Sequence, residues 1–226
     1  MMTTAKIIEI FHSLQGEGIH LGEPMTFVRF CGCNLSCEYC DTRYASDESK
    51  ASEMTGDQVV AETTKIARPG EFVSLTGGEP LLWADFIAEI GPRLKDARRK
   101  LYLETNGTLP DELQKIAPLL DVIAMDIKLP SAGCRAQWGT HRQFLAAAQS
   151  KVFAKLVVTA GTEPDEIEAA ARLVAAADRG MPLVLQPATG VLAPDMQYVR
   201  RCLALADRHL PGARIIAQMH KVWGLR

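Results

Sequence analysis

The sequence has no apolar run approaching the ~20 residues of a membrane span, so a helical membrane protein is excluded. It has no excess of charge of one sign either: 25 Lys and Arg stand against 27 Asp and Glu, a formal net charge of −2. Binding held by phosphate attraction needs a clustered basic surplus, so a nucleic acid is not an expected partner. The segment Met1 to Phe11 lacks the apolar stretch and small-residue cleavage site of a secretory signal, and a cytoplasmic location is expected. No linker, low-complexity tract or internal repeat divides the 226 residues. That length suits one α/β domain over 1–226, burying roughly 70% or more of the unfolded chain's surface. Disulfides are not expected. The six cysteines fall at 31, 33, 37, 40, 134 and 202, four of them within ten residues, and thiols so crowded in a reducing compartment read as metal ligands.

What the sequence does have is alternation. Apolar strand candidates are Lys6–Phe11, Thr26–Cys31, Phe72–Leu75, Lys100–Glu104, Val122–Ile127, Val152–Val158, Leu183–Gln186 and Arg214–Gln218. Several are almost continuously apolar, as parallel strands covered on both faces are. Between them lie helix signals. Thr55-Gly56-Asp57-Gln58 can close a capping box. Thr162 with Pro164 and Asp165 is expected to open a helix through Ala177, and Asp195 one through about His209. A βαβαβ alternation implies a parallel sheet, open or closed into a barrel. In both architectures ligands gather at the carboxyl ends of the strands. Cys33–Asp41, Thr76-Gly77-Gly78-Glu79-Pro80, Thr105-Asn106-Gly107, Lys128-Leu129-Pro130 and Pro187-Ala188-Thr189-Gly190 each follow a strand candidate. One rim lined by residues distant in sequence is therefore expected.

The run Phe30-Cys31-Gly32-Cys33-Asn34-Leu35-Ser36-Cys37-Glu38-Tyr39-Cys40-Asp41-Thr42 admits two metals. Four thiolates can close a tetrahedral zinc site, although Cys31 and Cys33 are separated by only one residue at the end of a strand. Alternatively Cys33, Cys37 and Cys40 hold a four-iron cluster and leave one iron open to a ligand. Cys31 is then a small buried hydrophobe, and Cys134 and Cys202 are structural.

The C-x3-C-x2-C spacing, with aromatic Tyr39 before the last cysteine, resembles the radical S-adenosylmethionine superfamily. That resemblance implies a [4Fe-4S] cluster whose open iron chelates the methionine end of S-adenosylmethionine, which one electron cleaves to a 5′-deoxyadenosyl radical. Other segments narrow it: Phe11-His12-Ser13-Leu14-Gln15-Gly16-Glu17-Gly18, Arg29, Asp41-Thr42, Thr76-Gly77-Gly78-Glu79-Pro80, Glu104-Thr105-Asn106-Gly107-Thr108, Gln186-Pro187 and His220-Lys221. Together they resemble the 7-carboxy-7-deazaguanine synthase family over essentially the whole chain. The resemblance implies an incomplete (β/α) barrel with a parallel sheet core and a homodimer. It also implies conversion of 6-carboxy-5,6,7,8-tetrahydropterin to 7-carboxy-7-deazaguanine with loss of ammonia, on the route to queuosine and related deazapurines.

The resemblance further assigns Tyr39, Asp41, Gly78, Glu104, Lys128 and Gln186 to S-adenosylmethionine and Thr42 to Mg²⁺, a cation that keeps its waters and takes few protein ligands. It assigns Leu14, Gln15, Gly16, Glu17, Arg29, Thr76, His220 and the terminal residue Arg226 to the pterin. Arg29 suits a carboxylate, which a guanidinium binds bidentately, and Glu17 suits amino and ring N–H donors. Thr76 is expected to donate its hydroxyl to the substrate. Trp223 and Leu225 imply a docked tail. A reductant such as flavodoxin or ferredoxin is an expected partner. The chain departs from the family in having Asp126-Ile127 where Ser-Pro commonly precedes the lysine, Ala188-Thr189 where an acid is usual, and Arg226 at the end. The alternatives are a radical enzyme acting on a partner protein and a zinc-stabilised binding module.

Overall fold

The computed structural model describes residues 3–148 and 151–225. Nine strands form one sheet in the order β3-β1-β2-β4-β5-β6-β7-β8-β9, with no closing pair between its ends among the described residues. These are β1 (Thr4–Leu14), β2 (Pro24–Phe30), β3 (Ser52–Thr55), β4 (Phe72–Gly77), β5 (Lys100–Thr105), β6 (Val122–Asp126), β7 (Val152–Val158), β8 (Leu183–Pro187) and β9 (Arg214–Ile215). β1 runs antiparallel to β2 and β3. From β2 to β9 every pair is parallel. The result is an incomplete barrel.

The helices α1 (Gly56–Ile66), α2 (Ala84–Asp96), α3 (Pro110–Ile116), α4 (Trp138–Ala148), α5 (Pro164–Ala177) and α6 (Met196–Asp207) pack each against the next. They cover the outer face, where Val28, Phe30, Val73, Leu75, Leu101, Leu103, Ile123, Met125, Ala154, Leu156 and Leu185 enter the main core. A short α7 (Met219–Trp223) follows β9. No helix is long and apolar enough to cross a membrane among the described residues.

Local signals explain most boundaries. Thr55 and Gln58 do close the capping box of α1: the Gln58 N–H donates to Thr55 Oγ1 at 3.3 Å, and the Thr55 N–H to Gln58 Oε1 at 2.8 Å. Asp195 caps α6 by accepting from the Gln197 N–H at 2.8 Å. The expected cap of α5 is displaced by one residue. Glu163 is the N-cap, its N–H donating to Glu166 Oε2 at 3.0 Å, whereas Thr162 Oγ1 accepts from the Thr159 N–H at 2.9 Å and closes the preceding turn. β9 stops at Ile215 rather than Gln218, because the chain leaves the sheet there and sends Gln218 toward the cavity. β3, a short polar edge strand, has no apolar alternation to announce it.

The inner face is built in two layers by the period of two along each strand. The lower layer is apolar: Met25, Phe27, Tyr102, Ala124, Phe153 and Val184, flanked by Phe11, Phe72, Val122 and Ile216. His20 closes it from the loop after β1, its ring edge-on to Phe72 (5.4 Å) and Tyr102 (5.5 Å). Two residues further along β2, β5, β6, β7 and β8 the inward positions become Arg29, Glu104, Asp126, Lys155 and Gln186, and Thr76 joins them from β4, where the preceding inward residue is the polar Ser74; all six line one cavity.

Candidate active site

That cavity has a volume of about 1140 Å³. A single small-molecule pocket is typically about 300–1,000 Å³, so the volume suits a nucleoside cofactor with a second small ligand beside it. Every candidate residue within the described part of the chain lies on its wall: Cys33, Cys37, Cys40, Thr42, Tyr39, Asp41, Gly78, Glu104, Lys128, Gln186, Leu14, Gln15, Gly16, Glu17, Arg29, Thr76 and His220. Arg226 lies outside the described residues.

The three cysteines project from the loop after β2, and the Leu35 N–H donates to Cys33 Sγ at 3.5 Å. Burial pushes the Cys37 thiol up to about 12, with Lys128 opposing the shift. Cys31 is buried and absent from the cavity wall; the Trp83 indole N–H donates to its carbonyl at 2.8 Å. The four-thiolate zinc set is therefore not gathered. Cys134 corrects an expectation. It is not remote from the site, because its Sγ lies 3.3 Å from Cys37 Sγ. Its sequence separation of 97 residues concealed that proximity.

The Gly-Gly-Glu turn is pressed against the cysteine loop. A Cβ at Gly78 would stand 2.1 Å from the Gly32 carbonyl oxygen and 2.9 Å from Cys33 Cβ, so glycine here first serves the packing of the two loops. Glu79 fastens the next loop. Fully buried, its carboxylate accepts from the N–H groups of Leu81 (3.0 Å) and Asn106 (2.8 Å) and from Thr105 Oγ1 (2.8 Å). Burial still prevails and raises its pKa to about 7.

Glu104 is neither a helix cap nor a solvated acid. Its carboxylate accepts from Gln15 Nε2 (2.8 Å), Ser74 Oγ (3.3 Å) and Thr76 Oγ1 (2.7 Å). The Thr76 proton is thus committed to Glu104. Its oxygen faces a ligand as an acceptor, contrary to the donor role expected from sequence. Arg29 lines the wall beside Thr76, its register partner on β4, with Phe11 and Tyr44 rings 5.6 and 5.8 Å from its guanidinium carbon. Its Nε–H donates to Glu9 Oε1 at 2.9 Å, and Tyr44 Oη donates to the same oxygen at 2.8 Å. Lys128 pairs with Asp126 at 2.9 Å and sits 5.1 Å over the Tyr39 ring. Asp126 Oδ1 and Gln186 Oε1 are buried without a protein partner. Two such orphaned acceptors are costly unless a donor-bearing ligand meets them, and the amine and hydroxyls of S-adenosylmethionine meet that requirement.

Thr42 begins a one-turn 3₁₀ segment, yet its side chain makes no capping bond. Next to it, Glu17, Asp41 and His220 bring ligand atoms within 4.8 Å of one another. Two lysines already serve that corner: Lys155 pairs with Glu17, and Lys221 Nζ lies 3.6 Å from Asp41, which also has His220 Nε2 at 3.3 Å. Burial pushes the Asp41 carboxyl up, and the His220 and Lys221 contacts outweigh it and hold it well below the usual range. The tail segment docks here. The Met219 N–H donates to the Gly16 carbonyl at 2.9 Å, and a Cβ at Gly16 would meet His220 Cβ at 2.5 Å. Both Leu225 and Trp223 stay exposed, at 37% and 41%, and of the two only Leu225 lines the cavity.

Sequence reasoning missed Lys155 and Gln218 on the cavity wall, where Asn106 lies as the rim pattern expected. Lys155 had a visible signal: it is the lone charge inside the otherwise apolar strand Val152–Val158.

The Radical SAM superfamily model matches residues 27–174. A 7-carboxy-7-deazaguanine synthase of Geobacter sulfurreducens is 38% identical over 97% of this chain and 97% of its own. Its namesake in Methanothermobacter thermautotrophicus is 32% identical over the full length of both. The crystal structure of QueE from Escherichia coli superposes with a TM-score of 0.68 over 95% of this chain and 93% of that one, at 22% identity, and so shares its fold. The cysteine loop, the ring of strand-end polar residues and these full-length similarities agree: the chain belongs to the 7-carboxy-7-deazaguanine synthase family of radical S-adenosylmethionine enzymes.

Proposed function

We propose that the protein converts 6-carboxy-5,6,7,8-tetrahydropterin to 7-carboxy-7-deazaguanine and ammonia. The observation that carries this reading is the convergence of the candidate residues from both halves of the chain on one cavity with room for two ligands. Cys33, Cys37 and Cys40 hold the cluster. Tyr39, Asp41, Gly78, Lys128 and Gln186 hold S-adenosylmethionine, and Asp126 joins them because its unpartnered oxygen lines the same wall. Bound there, cluster and cofactor supply one-electron cleavage and a carbon radical that abstracts hydrogen.

The chain's own residues place the pterin. Arg29 takes the 6-carboxylate, with Glu9 orienting its guanidinium. Across the lumen, Gln15, Gly16, Glu17 and His220 address the amino-pyrimidinone edge. Glu104 fixes the Gln15 amide and the Thr76 hydroxyl, so neither must reorganise when the ligand arrives. Thr42 is the protein ligand for Mg²⁺, its hydroxyl being free of any capping bond. The enzyme acts as a homodimer in the cytoplasm and takes its electron from a flavodoxin or ferredoxin.

The test is turnover under anaerobic conditions. Reconstituted protein given S-adenosylmethionine, reductant and the tetrahydropterin should release ammonia and the deazaguanine in equal amounts. Cofactor cleavage that leaves the pterin intact would move the protein to the class acting on a partner chain.

A further inference from the structure

Lys155 is a largely enclosed charge on the cavity wall, its side chain 12% exposed, to which the reading above gives no ligand contact. It projects inward from β7, its ammonium paired with Glu17 Oε2 and 3.7 Å from Asp126 Oδ2. Burial works against its charge, and the Glu17 and Asp126 carboxylates outweigh that cost and hold its pKa above the ordinary lysine value. Glu17 is the reciprocal case. Burial pushes its carboxyl up and Lys155 overcomes it, so the group is held below its ordinary value. The surroundings of the pair are fully accounted for. Gln218 Nε2 donates to Glu17 Oε1 at 3.1 Å, His220 Nδ1 lies 3.8 Å from the same oxygen, and Asp41 approaches from the cysteine loop. Glu104 on β5 adds its field to that of Asp126 at Lys155.

We propose that Lys155 is a positioning residue that keeps Glu17 an acceptor-only group on the cavity wall, and thereby makes the site select a heterocycle edge bearing two N–H donors over its 2-oxo counterpart. The proposal rests on the pterin reading above. An ionised carboxylate offers lone pairs alone. It satisfies the amino and ring N–H groups of a 2-amino-pyrimidinone and repels the carbonyl oxygen of a 2,4-dione. Without Lys155 the buried carboxyl takes up a proton, gains a donor, and ceases to discriminate. The cation stands on β7 and the carboxylate in the loop after β1, which ties substrate choice to the far side of the barrel.

The experiment is equilibrium binding to cluster-loaded protein with S-adenosylmethionine and no reductant, using 6-carboxypterin and 6-carboxylumazine as probes. Wild type should prefer the pterin. Lys155→Met should bind it about tenfold or more weakly near neutral pH, lose most of the preference, and regain affinity as pH rises. Lys155→Arg should retain the preference. In a Glu17→Gln background, Lys155→Met should add no further pH dependence, since the lysine acts through that carboxylate. Should Lys155→Met fail to fold, Lys155→Arg and Glu17→Gln still decide, the first keeping the preference and the second losing it. Pterin affinity and preference in Lys155→Met within twofold of wild type would overturn the proposal while leaving the functional reading intact. Wild type that binds neither probe would overturn both.

Discussion

Two layers of the barrel interior lie a single step of two residues apart on β2, β5, β6, β7 and β8. Met25, Phe27, Tyr102, Ala124, Phe153 and Val184 make a dry floor. Arg29, Thr76, Glu104, Asp126, Lys155 and Gln186 make a polar layer directly above it. Backbone, register and hydrogen bonding continue from one to the other, so the change is wholly in side-chain chemistry. The floor stabilises by removing apolar surface from water. The upper layer holds charges that are tolerable only because they are paired, as Lys155 is with Glu17 and Lys128 with Asp126. The fold's chemistry is carried by inward residues near the carboxyl ends of the parallel strands, and substitutions in the two layers should therefore fail in different ways.

The largest effect is expected at the cysteine loop above both layers. Cys33→Ala, Cys37→Ala or Cys40→Ala should each abolish cluster assembly, read as loss of visible absorption and bound iron, whereas Cys31→Ala should retain both. Equal loss in Cys31→Ala would restore a four-ligand site. In the floor, Phe153→Ala should cost about 3–5 kcal/mol of stability by chemical denaturation and leave cofactor cleavage per loaded cluster unchanged. In the upper layer, Arg29→Lys should do the opposite. It keeps the charge and loses the planar fork, so pterin turnover should fall roughly ten- to a hundredfold, about 1.4–2.8 kcal/mol, with the unfolding midpoint unmoved. A large stability loss in Arg29→Lys would erase the distinction between layers.

The smallest effect concerns Glu79, whose folded-state pKa is raised from 4.5 to about 7 by burial. The folded state then binds this proton more tightly than the unfolded one. Its contribution is present in full at low pH and is lost as pH rises through about 7. Between about pH 5 and pH 7 wild type should lose on the order of 1 kcal/mol for this reason. Glu79→Gln should flatten that slope in thermal scans, and an unchanged slope would exclude Glu79 as its source.

Much of this was legible beforehand for a physical reason. Strands buried against helices announce themselves as apolar runs, and Val152–Val158 is observed with the bounds expected for it. Thr55 and Asp195 marked their helices because a cap is a local interaction. What stayed hidden is what depends on neighbouring strands. Glu104 gathers Gln15 from the loop after β1 and Ser74 and Thr76 from β4, and no local pattern shows that its acceptors are already in use. Cys134 meets Cys37 only because the loop after β6 folds against the cysteine loop, where the Glu38 N–H donates to the Ala132 carbonyl at 3.2 Å. Thr162 is the cap expected from sequence, but the Thr159 turn uses its hydroxyl and Glu163 caps the helix instead.

A crystal structure of the anaerobically reconstituted protein with S-adenosylmethionine and the pterin tests the division of the lumen most directly. The account predicts a four-iron cluster on Cys33, Cys37 and Cys40, the pterin carboxylate at Arg29, and its amino-pyrimidinone edge at Glu17. A metal held by Cys31 together with those three cysteines, or a pterin bound away from the Arg29–Glu17 span, would contradict it.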